Sequence, residues 1–146
     1  IGFTEEEINQ LADVIYDESK KFEYDPLFVM AIILTESSFK KDQTSGYGAR
    51  GLMQVAPYVG EDVASRAGVN WSGKETLQNS ESNIKLGTLH LFEYILKFGD
   101  VKQALMAYNV GEAKFRDLVK TNQPLPEGYL NKVIDNYSML KETYRT

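Results

Sequence analysis

Residues 25–39 read DPLFVMAIILTESSF and contain the longest apolar run in the chain. Asp25 is a favourable N-cap, and Pro26 suits the first helical position, so a helix is predicted to begin here. The interior of this helix is apolar on nearly all sides, which predicts a central element buried by its neighbours. Glu36 stands at the end of the apolar run.

The position of Glu36 has a chemical consequence. A carboxylate at the end of a buried helix is costly to keep ionised, so desolvation should raise its pKa. The partial negative charge at the helix C-terminus should raise this pKa further. A carboxylic acid that stays protonated near neutral pH is what general acid catalysis requires. The run alone is equally compatible with a glutamate that reaches back to solvent from the exposed end of a core helix.

Two further motifs follow the sequence ESSF at residues 36–39. Residues 45–54 read SGYGARGLMQ, and residues 107–111 read AYNVG. In this order and spacing the three motifs resemble the lytic transglycosylase family that is similar to goose-type lysozyme, the catalytic domain of soluble murein transglycosylases. The sequence NIKLG at residues 83–87 also fits, and the resemblance covers roughly residues 20–137.

The resemblance implies a mainly α, lysozyme-like fold and cleavage of peptidoglycan glycan strands. In this family the glutamate that matches Glu36 protonates the glycosidic oxygen between N-acetylmuramic acid and N-acetylglucosamine. The same carboxylate then takes the proton from the muramyl C6 hydroxyl, which closes on C1 and forms a 1,6-anhydro sugar. One carboxylate therefore serves first as acid and then as base.

The resemblance also implies a set of substrate contacts around the glutamate, with the tyrosine of AYNVG pointing at it. These residues are Ser45, Gln54, Tyr108, Asn109 and Tyr129. The first four have purely structural alternatives: a loop serine, an exposed helix glutamine, a core tyrosine and a capping asparagine. Two positions depart from the family pattern. Ala56 stands where a methionine is common, and Leu125 stands four residues before Tyr129, where many members carry a glutamate, while Glu127 lies two residues before it.

Alternatives to this function require other features of the chain. A hydrolytic muramidase or chitinase on the same scaffold normally needs a second carboxylate, for which Asp42, Glu61 and Asp62 are the nearest candidates. An Asp in a glycine-rich loop is commonly a turn former, and acids in a first helical turn suit the helix dipole. A cell-wall binding module without catalysis is the alternative from a different class. The intact set of Glu36, Gln54, Tyr108 and Asn109 speaks against it.

Composition limits the classes of fold, cofactor and partner that this chain can have. With 146 residues, of which 42% are hydrophobic and 25% charged, residues 1–146 are expected to form one globular domain that acts as a monomer. The chain has no cysteine and a single histidine, His90, which we interpret as structural, so neither a metal nor a cofactor is expected. The net charge of −5 argues against nucleic acid as a partner, and no apolar stretch is long enough to span a membrane.

The chain reads as helical with short loops, and caps indicate the helix boundaries. Thr4 to Glu7 form a capping box before a helix expected to bury Ile8, Leu11, Ala12 and Ile15. Later helices are predicted from Pro57 to about Ala67, from Ser80 to Gly99, from Asp100 to Gly111, and from Ala113 to Lys120. A second capping box is predicted at Ser72 to Glu75, a small β-hairpin around residues 43–50, and a last helix burying Leu130, Val133, Ile134, Tyr137 and Leu140. Family resemblance places the protein in the cell envelope, periplasmic or secreted, with any signal peptide removed.

Overall fold

The computed structural model describes residues 3–46 and 48–144, and it is mainly helical as predicted. Within these residues there are seven α-helices and one short 3-10 helix. The α-helices are α1 (Glu5–Lys21), α2 (Pro26–Ser37), α3 (Pro57–Ala67), α4 (Ser80–Phe98), α5 (Val101–Val110), α6 (Glu112–Lys120) and α7 (Glu127–Thr143), and the 3-10 helix spans Lys74–Gln78 between α3 and α4. None of these helices is both long and apolar enough to cross a bilayer.

Most helix boundaries lie where the caps predicted them. Thr4 forms the expected capping box with Glu7, because its hydroxyl accepts from the Glu7 N–H and the Glu7 carboxylate accepts from the Thr4 N–H. Asp25 accepts a hydrogen bond of 2.9 Å from the N–H of Leu27 and begins α2. Gly99 ends α4 in the left-handed conformation that glycine adopts without strain.

Some local predictions were wrong. The segment at Ser72 forms no capping box: the Ser72 N–H donates to the Thr76 hydroxyl, and a 3-10 helix follows. Ile134 was predicted to be buried, but it is 41% exposed because it lies at the edge of the buried face of α7. In α1, Ala12 is exposed at the edge of the buried stripe, and Ile8, in the first turns, is 54% exposed.

The hairpin expected at residues 43–50 is reduced to isolated bridges. Arg50 pairs with Thr44 and with Val55 in single antiparallel bridges, and no regular strand forms within the described residues. Tyr47, which belongs to the predicted hairpin, lies outside the described residues.

Helix α2 is the central element, as its apolar run predicted. Val29, Ala31, Ile32 and Ile33 are completely buried, and full burial of each larger side chain contributes about 1.5–3 kcal/mol. Helix α7 packs along α2, and α1 packs against both α2 and α4. Two hydrogen bonds hold α7 in register: Asn136 donates to the Thr35 hydroxyl, and Tyr137 donates to the Asp25 carboxylate, at 2.8 and 2.7 Å.

The loop between α2 and α3 is held by Asn83, a completely buried residue of α4. The Asn83 side-chain oxygen accepts from the N–H of Met53 at 2.8 Å. Its side-chain nitrogen donates to the carbonyls of Arg50 and Leu77, both at 2.9 Å. One amide therefore joins three segments, which are residues 48–54 (the GARGLMQ loop), the 3-10 helix and α4.

Glycines at two positions allow the backbone of the GARGLMQ loop to approach α4 closely. Gly51 has a φ of +77°, and a Cβ there would collide with the Asn83 amide and lie 2.7 Å from the carbonyl oxygen of Leu77. A Cβ on Gly87, one turn along α4 from Asn83, would lie 2.8 Å from the Cβ of Met53. Without side chains at these positions, the loop backbone packs directly on α4.

We predict that Asn83→Ala lowers the free energy of unfolding by about 3 kcal/mol, because buried donors and acceptors of the loop lose their partner. Denaturant unfolding measures this difference. The exposed Asn70, which makes no side-chain hydrogen bond to the described residues, provides the matched control, and Asn70→Ala should change stability by less than about 0.5 kcal/mol. Equal effects of the two substitutions would contradict the role of Asn83.

Candidate active site

Glu36 lies in the last turn of α2, at a point where the chain reverses direction. The neighbouring Ser37 hydroxyl bonds the carbonyls of Ile33 and Leu52, at 3.1 and 2.8 Å, and so joins the helix end to the GARGLMQ loop. Ser38 and Phe39 then take left-handed φ values of 53° and 61°, each a conformation of modest cost for a non-glycine residue. This turn places Glu36 beside the loop rather than in solvent.

A cleft of about 560 Å³ opens over the Glu36 carboxyl. It brings together five of the six predicted site residues, which are Glu36, Ser45, Gln54, Tyr108 and Asn109. The other lining residues are Ala49, Val55, Ala56, Tyr58, Val59, His90, Tyr94, Val110, Gly111 and Lys114. The sixth predicted residue, Tyr129, does not line the cleft but lies next to Glu36 from α7.

Burial raises the pKa of Glu36 from 4.5 to about 7. This confirms the shift that its place on the apolar run predicted. The interaction with the Tyr129 hydroxyl acts in the opposite direction and is smaller than the effect of burial. Near neutral pH the Glu36 carboxyl therefore exists in both its protonated and its ionised form, and either form is accessible at little cost.

Two tyrosines surround the Glu36 carboxyl. Burial and the nearby Glu36 charge raise the pKa of both Tyr108 and Tyr129 well above the ordinary range, so both hydroxyls remain protonated. The buried Tyr129 oxygen makes no well-aligned hydrogen bond to a described residue, although it lies close enough to affect the Glu36 carboxyl. It is therefore a donor available to the ionised form of Glu36.

The hydrogen-bond acceptor of the Tyr108 hydroxyl differs from the one expected. It donates to the carbonyl of Met53 at 2.7 Å rather than to Glu36. Tyr108 thus packs beside the acid and at the same time holds the GARGLMQ loop, because the Met53 N–H is bound by Asn83 from the other side.

Gln54 is neither an exposed helix residue nor simply a cleft residue. It sits in a turn with a φ of 51°. Its side-chain nitrogen donates to the carbonyls of Gln43 and Gly51, at 3.0 and 2.9 Å. Both N–H groups are thereby used within the loop, while the side-chain oxygen, without a donor among the described residues, is left for a ligand in the cleft.

Ser45 and Asn109 line the cleft from different elements, the loop between α2 and α3 and helix α5. The Ser45 hydroxyl accepts from the N–H of Ala49 at 3.0 Å, which closes a turn of the loop. Asn109 is exposed in the last turn of α5, and its side chain makes no hydrogen bond to the described residues. It does not cap the helix, which ends at Gly111.

Among the described residues that line the cleft, Glu36 is the only carboxylate. Asp42 lines a different cavity of about 370 Å³. Asp62 pairs with Arg66 at 3.2 Å, and Glu61 is exposed on α3 outside the cleft lining. Glu127 is exposed in the first turn of α7 and does not line the cleft either. In the described part of the chain no three histidine or acidic side chains lie close enough to hold a metal ion.

Sequence reasoning missed the aromatic side of the cleft. His90, interpreted as structural, lines the cleft together with Tyr94 from the same helix. Burial lowers the pKa of His90 to about 4, so its imidazole is neutral at physiological pH. Their spacing of four residues places both rings on one face of α4, which was the available signal. Trp71 and Phe115 belong instead to the apolar packing of the protein.

Comparison with solved structures identifies the class of protein to which this fold belongs. The mainly helical fold matches that of the 70 kDa soluble lytic transglycosylase from Escherichia coli, with a TM-score of 0.78 at 23% identity over 91% of this chain and 24% of that one. A structure of an inactive mutant of the lytic transglycosylase Slt from Pseudomonas aeruginosa gives a TM-score of 0.67 at 26% identity, covering 86% of this chain and 21% of that one. The expected lysozyme-like fold is therefore confirmed.

The family follows from the sequence comparison. The family described as "Transglycosylase SLT domain" matches residues 13–131, and the chain belongs to it. The transglycosylase of Enterobacteria phage PRD1 is 32% identical over 84% of this chain and 41% of its own length. Membrane-bound lytic murein transglycosylase D of Escherichia coli is 25% identical over 82% of this chain and 29% of its own. The chain thus spans less than half the length of these relatives.

We predict that Glu36→Gln gains stability relative to the wild type as pH rises. The raised folded-state pKa means that Glu36 contributes stability below pH 4.5 and loses this contribution as pH climbs to about 7. The difference in free energy of unfolding should grow by on the order of 3 kcal/mol over this window and then level off. Paired denaturant melts from about pH 4.5 to about pH 8 measure it.

The lowered pKa of His90 acts oppositely over an overlapping window, because the unfolded state gains its proton below pH 6.5. This contribution is common to wild type and Glu36→Gln and cancels in the difference. A stability difference that stays constant with pH would show that Glu36 is well solvated.

We predict that Gln54→Ala and Asn109→Ala affect stability differently. Gln54→Ala removes two hydrogen bonds within the loop and should lower the free energy of unfolding by about 1–2 kcal/mol. Asn109→Ala removes none and should stay within about 0.5 kcal/mol of the wild type. Thermal or denaturant melts compare them, and the reverse order would contradict the described loop geometry.

Proposed function

We propose that this protein cleaves the β-1,4 bond between N-acetylmuramic acid and N-acetylglucosamine in peptidoglycan without water, leaving 1,6-anhydromuramyl ends. The observation that carries the proposal is that Glu36 is the one carboxylate among the described residues of the cleft lining, with its pKa raised to about 7. Relatives named as lytic murein transglycosylases support the substrate and the reaction.

The first step uses the protonated form of Glu36. Its carboxyl donates a proton to the glycosidic oxygen, and the bond between that oxygen and the muramyl C1 breaks. A general acid is most effective when its pKa lies near the working pH, which burial achieves here. The solved Pseudomonas aeruginosa Slt mutant, in which glutamine replaces a glutamate and which is inactive, supports an essential glutamate in this family.

The second step uses the carboxylate left by the first. Glu36 takes the proton from the muramyl C6 hydroxyl, and the resulting oxygen nucleophile forms a bond to C1. The acid regains its proton, one C–O bond has broken and one has formed, and no water is consumed. Because both proton transfers involve the same group, a second cleft carboxylate is unnecessary.

The tyrosines fit two supporting roles in this cycle. The Tyr129 hydroxyl lies beside Glu36 and has no well-aligned partner among the described residues. It donates to the carboxylate when this forms and stabilises it. Tyr108 is a positioning residue, because its bond to the Met53 carbonyl holds the loop against the acid.

The loop and α5 supply polar contacts for the glycan. The Gln54 side-chain oxygen accepts from an N-acetyl amide or a sugar hydroxyl, since its nitrogen is already used in the loop. Asn109 offers a donor and an acceptor to the cleft from α5. Ser45 contributes through the turn that it closes with Ala49.

The location and partners follow from this substrate. We assign the protein to the cell envelope, periplasmic or secreted, where peptidoglycan is found. Residues 1–146 act as one catalytic domain, and as a monomer, on the glycan strand. The net charge of −5 makes a shaped cleft rather than bulk attraction the basis of binding. Neither a metal nor a cofactor takes part in the steps described.

Product analysis tests the reaction. Purified peptidoglycan is incubated with the protein, and the soluble products are examined by mass spectrometry. We expect muramyl ends that are lighter by one water than those released by a lysozyme. Products that mainly carry reducing-end muramic acid would instead establish a hydrolase, in which water takes the place of the C6 hydroxyl.

The matched control is Glu36→Gln, which keeps the shape of the side chain but cannot exchange a proton as an acid does. We predict that its activity falls by at least roughly 100-fold. Near-wild-type turnover by Glu36→Gln would contradict the assignment of Glu36.

Wild-type activity should also decline as pH rises through about 7, because the protonated form of Glu36 starts the reaction.

A further inference from the structure

Aromatic rings from α3, α4 and α5 line part of the cleft. The ring of His90 lies 5.5 Å from that of Tyr108 and 4.3 Å from that of Tyr94, measured between centroids. Tyr58 lines the same cleft from the start of α3. We call these four residues the aromatic wall. One of its members, Tyr108, lies beside Glu36.

Tyr58 is the outermost member of the aromatic wall and is 73% exposed. Tyr94 lines the same cleft, and burial raises its pKa, with a smaller contribution from Tyr58. Pro57 at the first position of α3 fixes the backbone just before it. Tyr58 therefore presents a large ring to the cleft from a rigid helix start. Most of this ring is left uncovered by the described residues.

His90 provides the polar part of the same surface. Neither of its ring nitrogens hydrogen-bonds a described residue, although the ring is half-buried between two tyrosines. A neutral imidazole carries one donor and one acceptor. Burial keeps it neutral even though the carboxylates of Glu93, Asp62 and Glu112 act to raise its pKa. A half-buried donor and acceptor without protein partners is suited to a ligand that supplies them.

From these observations we infer that the aromatic wall is a binding subsite for an N-acetylated pyranose of the glycan strand, within the cleft that holds Glu36. The Tyr58 ring stacks on the apolar face of the sugar, and His90 hydrogen-bonds its amide or a hydroxyl. A pyranose suits this surface because it has one face of C–H groups and polar groups around its edge. The inference rests on the proposed function, which supplies the class of ligand.

Binding measurements in the Glu36→Gln background test the subsite without cleavage. The probe is glycan strands purified from peptidoglycan and freed of their peptides, and isothermal titration calorimetry measures the affinity. Added Tyr58→Ala should weaken binding by about 10-fold, the scale of losing one aromatic contact. Added Tyr58→Phe keeps the stacking face and should stay within about 3-fold.

His90→Phe keeps a ring between Tyr94 and Tyr108 but removes both nitrogens, and should weaken binding by about 5-fold. His90→Asn, which keeps a donor and an acceptor, should recover part of this loss. The matched control is Tyr16→Ala, because Tyr16 is a 54% exposed tyrosine of α1 outside the cleft, and its removal should leave the affinity unchanged. Thermal melts check that each variant is folded.

The outcomes separate the subsite from the proposed function. If the Glu36→Gln parent does not bind the strands, the proposed function is wrong and the subsite with it. If the parent binds but Tyr58→Ala and His90→Phe bind equally well, the subsite alone is wrong. Equal losses in Tyr58→Ala and Tyr58→Phe would also overturn it, because a stacking contact does not require the hydroxyl.

Discussion

The buried side-chain amide of Asn83 is the interaction on which the site depends. It bonds the N–H of Met53 and the carbonyls of Arg50 and Leu77 from a completely buried position on α4. A buried amide is stable only when its donors and acceptors are satisfied, so the three segments are fixed relative to one another. With Tyr108 bound to the Met53 carbonyl, the loop that carries Gln54 has one well-defined position beside Glu36.

The central helix α2 performs two functions with one stretch of sequence. Its apolar residues form the middle of the core, where Val29, Ile32 and Ile33 are completely buried. The same burial continues to the helix end and raises the pKa of Glu36 to about 7. The stability of the protein and the reactivity of its acid thus have a common origin, since removing water from the core also removes it from around the carboxyl.

Local features of the structure could be predicted because they depend on neighbouring residues. The capping box of Thr4 and Glu7, the start of α2 at Asp25 and the end of α4 at Gly99 each involve a few consecutive residues. The roles of side chains were predicted less well. The Tyr108 hydroxyl bonds Met53, 55 residues away in sequence, and neither periodicity nor a motif indicates which of two nearby acceptors a hydroxyl takes.

The sequence by itself determined that the protein is mainly helical, that the apolar helix after Asp25 is its central element, and that Glu36 stands at the end of the apolar run. These properties follow from apolar periodicity and caps, which act over a few helical turns. Only the tertiary structure decided that Tyr129 lies beside Glu36, that Asp42 lines a different cavity, and that His90 faces the cleft. The physical reason is that these contacts join residues distant along the chain, and their geometry depends on how whole helices pack together.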